Sequence, residues 1–253
     1  MDPAATQAAA AEPGVMATLE ERAEELYGRI RGCRLCPLAE TRTHAVPGEG
    51  PLDAEVMFIG EAPGLNEDQQ GRPFVGPAGN FLGELLGAAG YAREAVYICN
   101  VLKCRPPANR DPLPEEIDAC RDYLDEQIDL IDPLVVVTLG RYSMSKFFPR
   151  QSISKIHGQP KEIAGTWYVP MYHPAAALHQ GSLREPMLRD FARLPEIVAR
   201  ARSSRGGAVL QREQHAPPQP QMLAEETRPA EPAPPAIERP TSQPQAPQGR
   251  LFD

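Results

Sequence analysis

Apolar positions along the first part of the chain recur with a helical period. Leu19, Ala23, Leu26 and Ile30 fall on one stripe, with glutamates early and arginines late, which suits the helix dipole and predicts a first helix over about 17–31, ending at Gly32. A different pattern follows. Glu55-Val-Met-Phe-Ile-Gly60, Val96 to Val101 and Leu134 to Gly140 are short, continuous apolar runs, and Trp167 to Tyr172 makes a fourth. Runs of this kind are strands buried on both faces, the mark of a parallel sheet. Helical patterns lie between and after them, over 78–89, 114–131 and 183–202; Ile117, Cys120, Leu124, Ile128 and Ile131 form the stripe of the second of these. Alternation of strand and helix predicts an α/β protein, a three-layer α/β/α sandwich around a central four-stranded parallel sheet, with functional loops at the carboxyl ends of the strands.

Composition bounds this domain. The stretch from Gly206 to Asp253 holds 10 prolines in 48 residues and almost no aromatics, too little apolar surface to offset the entropy of ordering the chain. The first 16 residues, rich in Ala and broken by Pro3, Pro13 and Gly14, read the same way. The expected organisation is an N-terminal extension over 1–16, one folded domain over 17–205 and a Pro-rich tail over 206–253, with Met16 an alternative start. No apolar run approaches the roughly 20 residues that cross a bilayer, and Asp2 and Glu12 stand where a secretory signal would carry Lys or Arg. No membrane partner and a cytoplasmic location are expected.

The net charge of −8 does not advertise nucleic acid, but the charge is unevenly distributed. From Pro133 to Lys161 there is no acidic residue, while Arg141, Lys146, Arg150, Lys155 and Lys161 supply cations, and Arg29, Arg31, Arg34 and Arg42 face only Glu40 over their own stretch. Two basic patches on an acidic body can grip a polyanion if they converge in space.

Candidate chemistry sits at the strand ends. Gly60-Glu61-Ala62-Pro63-Gly64 presents Glu61 at the edge where such sheets hold ligands, with Glu67 and Asp68 shortly after. Gly71-Arg-Pro-Phe74-Val-Gly76 is a glycine-flanked loop with a lone aromatic, leading into a helix. The second run ends in Cys99-Asn100, whose amide offers both a donor and an acceptor to a base edge, and the fourth ends in Tyr172-His173-Pro174, a candidate acid or electrostatic catalyst. Cys33 and Cys36 have the spacing at which two thiols reach one metal, and Cys104 and Cys120 complete a tetrahedral set of four. Zinc and an iron–sulfur cluster are equally compatible with that spacing.

In this order, Gly60-Glu-Ala-Pro-Gly64, Gly71-Arg-Pro-Phe-Val-Gly76, Asn100 with Lys103-Cys104-Arg-Pro-Pro107, and His173-Pro174 resemble the family 4, iron–sulfur uracil-DNA glycosylases over about 30–205. The resemblance implies the superfamily's parallel sheet flanked by helices, a [4Fe-4S] cluster on Cys33, Cys36, Cys104 and Cys120 with zinc as the alternative, and excision of uracil from single- or double-stranded DNA. Phe74 would stack on the flipped base and Asn100 would read its Watson–Crick edge. His173 would stabilise the departing base, and Glu61 would position water or stabilise the sugar cation, with Glu67 the alternative. The active-site Asp of the best-known uracil glycosylases would fall at Ala62, which cannot do acid–base work and would line the uracil pocket. Two departures stand out: Cys99 where the family commonly has Thr, and His157 where a basic residue usually precedes Gly158. No basic, His-containing insertion follows Asn100, so turnover is expected and not covalent trapping.

DNA contacts are expected from Leu178 as a wedge filling the gap of the flipped base, from Lys155 and Lys161 along the DNA path, and from Arg105 beside Arg31, Arg34, Arg42, Lys103 and Arg110. At the far C-terminus, Gln248, Leu251 and Phe252 resemble the peptides by which bacterial repair proteins dock on the sliding clamp. Two other classes compete: a non-catalytic, metal-stapled DNA-binding module, and a doubly wound nucleotide-binding protein, the latter disfavoured because no GxGxxG is present.

Overall fold

A computed structural model describes residues 17–214; the expected N-terminal extension and the clamp peptide at Gln248, Leu251 and Phe252 lie outside the described residues. Five strands form one sheet: β1 (Val56–Gly60), β2 (Tyr97–Asn100), β3 (Val135–Leu139), β4 (Lys161–Ile163) and β5 (Thr166–Met171). Their order is β2-β1-β3-β5-β4, parallel throughout except for β4, which runs antiparallel to β5. The four predicted strands are all present, and the sheet gains β4, a three-residue edge strand that returns through Ala164 and Gly165, both at positive φ.

Ten helices surround the sheet among the described residues: α1 (Leu19–Gly32), α2 (Leu38–Thr41), α3 (Leu65–Gln70), α4 (Pro77–Ala88), α5 (Pro114–Ile131), α6 (Arg141–Phe147), α7 (Ile153–Ile156), α8 (Pro174–His179), α9 (Arg184–Ala192) and α10 (Leu194–Gln214). Alternate residues of each strand feed opposite layers. Val56, Phe58, Val135, Val137 and Val169 meet α4, α9 and α10 on one face, and Met57, Ile59, Tyr97, Cys99 and Val136 meet α5 and α6 on the other. Cys99 is therefore a core residue of the second layer. Outside α5 lies α1, capped by Thr18 and Glu21, whose Ala23, Leu26 and Ile30 pack with Leu38, Leu102, Cys104 and Cys120 in a third apolar cluster. The predicted last helix is two, α9 and α10, and α10 runs past 205 to Gln214, because Gly206 and Gly207 weaken a helix without ending it.

All four parallel strands point their carboxyl ends the same way, so Glu61, Asn100, Gly140 and His173 emerge at one edge of the sheet. The chain reverses its direction of winding between β1 and β3, and a crevice at such a point is where open α/β sheets hold ligands.

Candidate active site

A cavity of about 280 Å³ opens at that edge, and its lining gathers Glu61, Ala62, Glu67, Phe74, Asn100, His173 and Leu178. Every sequence-predicted catalytic and base-reading residue thus meets in one place. The lining also includes Asn109 and Arg110, which sequence reasoning did not assign to it, from the turn after Pro106.

The floor is built around Gly60. A Cβ there would lie 2.3 Å from Oδ1 of Asn100 and 2.6 Å from the Phe74 ring, so only glycine lets both side chains converge at the end of β1. Asn100 is 2% exposed and its Oδ1 has no hydrogen-bond partner. A buried acceptor left unmet costs about 1–3 kcal/mol, and the residue that carries it lines the cavity. Phe74 adopts φ 51°, a conformation that its surroundings impose, and its ring stacks against His173 with centroids 5.6 Å apart. Gly79 permits this, since a Cβ there would sit 1.9 Å from the Phe74 carbonyl oxygen.

Glu67, expected as an alternative catalyst, lines the cavity and is held by main-chain donors. Its carboxylate accepts from the backbone amides of Gly64 (3.1 Å), Val75 (2.9 Å) and Gly76 (2.8 Å). The amides of Val75 and Gly76 tie it to the Phe74 loop, and that of Gly64 closes the start of α3. A second brace holds the loop from outside: Arg93 donates to the Pro73 carbonyl at 2.6 Å while Arg72 and Arg93 both grip Glu49.

His173 caps α8, its Nδ1 accepting from the Ala175 amide at 3.1 Å. Nδ1 therefore carries the lone pair, and Nε2 carries the proton of the neutral ring. Burial pushes the His173 pKa down to about 4, against the opposing pull of the Glu67 charge. Glu61 shifts the other way. Burial, helped by the negative charge of Asp111 and opposed by Arg141, pushes its carboxyl up to about 7. Two titratable groups in one cavity are thus driven apart, one neutral and the other poised near neutrality, the arrangement that acid–base and electrostatic catalysis require.

The cysteines sit beside this cavity. Cys33 and Cys36 lie on the turn between α1 and α2, Cys104 follows β2, and Cys120 is on α5; none of the five cysteines is paired in a disulfide. Cys36, Cys104 and Cys120 share the third apolar cluster. Arg42 donates to Cys104 Sγ at 2.9 Å and to the carbonyls of Arg31 and Cys33 at 2.9 and 2.8 Å, and the Leu35 amide reaches Cys33 Sγ at 3.5 Å. Burial pushes the Cys120 thiol up to about 11 and raises Cys104 as well, so the thiolate forms call for positive charge. Among the described residues no three His, Cys, Asp or Glu side chains are close enough to hold one metal ion. A cubane cluster, whose cysteines bind separate irons, does not need them to converge on one atom.

Several cations predicted to reach phosphate are occupied elsewhere. Lys103 is buried, Arg42 braces the cysteine turns, Arg110 forms a two-pronged bond with the buried Glu116, and Arg31 pairs with Glu24. Arg141 and Lys146 pair with Asp111 and Asp125, which α5 and the loop before it bring to the acid-free stretch. Arg105 lies outside the cavity lining, and its Nε donates to Asn109 Oδ1 at 2.7 Å. Lys155 on α7 and Lys161 on β4 are exposed, with no ion-pair partner among the described residues. Leu178, half-exposed on α8, borders the cavity mouth. No helix among the described residues is long and apolar enough to cross a membrane.

Comparison with known proteins agrees with this geometry. The family model described as the Uracil DNA glycosylase superfamily matches residues 47–193. Type-4 uracil-DNA glycosylases are similar to the chain: that of Sulfurisphaera tokodaii is 47% identical over 188 residues, 69% of this chain and 84% of the relative. That of Archaeoglobus fulgidus is 44% identical over 190 residues, 71% of this chain and 95% of the relative. For the Thermotoga maritima protein the identity is 45% over 188 residues, 72% and 98% of the two chains.

Proposed function

The chain belongs to the uracil-DNA glycosylase superfamily, and from that premise we propose how its cavity carries out uracil excision and which residues do so. The protein is a uracil-DNA glycosylase of DNA repair that hydrolyses the N-glycosidic bond and leaves an abasic site. The observation that carries the residue assignment is the unmet Oδ1 of Asn100 beside the Phe74 ring. A flipped uracil stacked on Phe74 offers its N3–H to that oxygen and its O4 to the amide nitrogen. Cytosine reverses both groups and leaves both bonds unmade. Alkali cleavage of a uracil-containing oligonucleotide after incubation with the protein tests the reading; DNA binding without base release would favour a non-catalytic module.

Bond breaking leaves a uracil anion and a cationic sugar. Nε2–H of the neutral His173 donates to the developing oxyanion. The Glu61 carboxylate faces the sugar, stabilises its positive charge and orients the attacking water. Because the carboxyl of Glu61 stands at about 7, its charged form is lost as pH falls through that value. Single-turnover rates on uracil DNA are therefore expected to rise with pH around 7 and level off above it. Glu61→Gln should lower the rate and abolish this limb; a limb that persists unchanged in the variant assigns it to another group.

The four cysteines fit a [4Fe-4S] cluster. Its negative charge would meet Arg42 at Cys104, and amide and guanidinium donors to sulfur are the contacts by which proteins tune such clusters. When bound, the cluster supplies a rigid staple joining the turn after α1 to Cys104 and α5. Cys104 and Cys120 bracket Asn109 and Arg110 of the cavity wall, so the staple and the pocket are contiguous in the chain. Iron content of the purified protein decides between cluster and zinc.

DNA is the partner of this surface. Leu178→Ala is expected to slow excision from duplex more than from single strands, since only the duplex leaves a stacked gap to fill; equal slowing on both returns Leu178 to a role in packing. Loss of Lys155 and Lys161 together should lower the salt dependence of binding by up to about two phosphate contacts, read as the slope of log K against log salt. Clamp docking through Gln248, Leu251 and Phe252 would tether the enzyme near new DNA, and binding of a peptide spanning 245–253 to the clamp tests it. The cytoplasm is the compartment in which reduced cysteines and genomic DNA would meet in such an enzyme.

A further inference from the structure

Lys103 differs from the other cations of the site. It follows the end of β2, is 1% exposed, and its ammonium donates to the Asn100 carbonyl oxygen at 2.6 Å and to Oε1 of Gln127. Gln127 is buried too; its amide donates to the Pro47 carbonyl at 2.7 Å and to the Tyr97 hydroxyl at 3.0 Å, and Tyr97 meets the Tyr27 hydroxyl at 2.8 Å. Every oxygen within this network is uncharged. The groups facing Lys103 that can bear negative charge are the sulfurs of Cys99, Cys104 and Cys120. An ammonium buried among dipoles alone is unfavourable, and a polypeptide retains one where an anion stands near.

Two of those sulfurs belong to the set read above as cluster ligands, and the carbonyl that Lys103 holds belongs to the residue read above as the base-reading amide. We propose that Lys103 is a positioning residue: balanced by the negative charge of a cluster on Cys104 and Cys120, its ammonium pins the Asn100 backbone and so aims the Asn100 amide into the cavity. The inference rests on both of those readings. It makes the cluster more than a staple. Without the cluster's charge Lys103 faces only dipoles, and the tie that fixes the orientation of Asn100 at the end of β2 is weakened.

The test uses the full chain carrying Lys103→Met, which keeps most of the side chain's length and removes its charge. Three quantities are read: iron content, the inhibition constant of free uracil, and affinity for DNA with a non-cleavable abasic analogue. Iron retained, free-uracil affinity weakened at least tenfold and abasic-DNA affinity within twofold of wild type supports the proposal. Unchanged uracil affinity overturns it, as does a parallel fall of both affinities with the thermal midpoint, the signature of a merely structural role. If Lys103→Met does not fold, Gln127→Glu supplies a carboxylate to the ammonium. Removing iron with a chelator should then weaken uracil binding tenfold in wild type and little in Gln127→Glu; equal weakening in both, or none in wild type, overturns the proposal. Asn100→Asp serves as the control for the underlying reading. If it leaves free-uracil affinity intact, the base-reading role fails, and if the protein holds no iron, the cluster reading fails; either removes the inference with it. Should both readings hold while Lys103→Met binds uracil normally, the inference alone falls.

Discussion

Replacement of His173 by Ala is expected to slow single-turnover excision of uracil by about two to three orders of magnitude, the loss seen when one preorganised donor to a developing oxyanion is removed. The geometry specifies which proton matters. Nδ1 accepts the Ala175 amide, so the neutral ring carries its hydrogen on Nε2, on the side away from its own backbone cap. With its pKa pushed down to about 4, the ring is neutral at every pH above that value and becomes charged only below it. The contribution of His173 should therefore be constant across the neutral range, and the rise in rate around pH 7 should survive in His173→Ala, because it belongs to Glu61. His173→Gln, which restores a donor without a ring, should recover part of the loss. A wild-type rate for His173→Ala would remove the residue from the mechanism.

Asn100→Asp should lower uracil excision by at least about a hundredfold. A carboxylate accepts the N3–H of uracil but offers no donor to O4, and instead brings a negative charge against it in a buried site. Two bonds at about 1–3 kcal/mol each set the scale of discrimination between uracil and cytosine. The variant should accordingly show a narrowed ratio between the two bases, measured as single-turnover rates on matched oligonucleotides. Undiminished uracil excision with no gain on cytosine would show that some other group reads the base.

Much of this candidate site is legible in the sequence because its residues follow strand ends, and strand ends are marked by apolar runs that stop at Gly60, Asn100 and Tyr172. What escaped was whatever depends on backbone partners. Glu67 reads in sequence as a free acid near a catalytic turn, yet its three partners are main-chain amides, which leave no trace in side-chain pattern. Lys103 and Arg42 read as surface cations for the same reason: they are drawn inward by the carbonyls of Asn100, Arg31 and Cys33. Asn109 and Arg110 reach the cavity because Ala108 and Asn109 turn through positive φ at 54°, a detour that a Pro-rich stretch allows but does not announce. In the fold, β4 was missed because Lys161-Glu162-Ile163 is short and polar, without the apolar content by which its neighbours were found; the Ala164-Gly165 turn was the available signal.

That short strand has a consequence for how molecules of this protein behave toward one another. An open sheet edge offers unpaired amides and carbonyls to any strand that approaches, and a flat apolar edge invites self-association. Here β4 ends the sheet with three residues, of which Lys161 and Glu162 are exposed. At the opposite edge the outer side of β2 is engaged by Glu49, which exchanges backbone bonds with Ile98 at 2.9 and 2.8 Å. Neither border presents a long apolar row. Among the described residues, neither border of the sheet therefore offers a template on which a strand of a second molecule would pair.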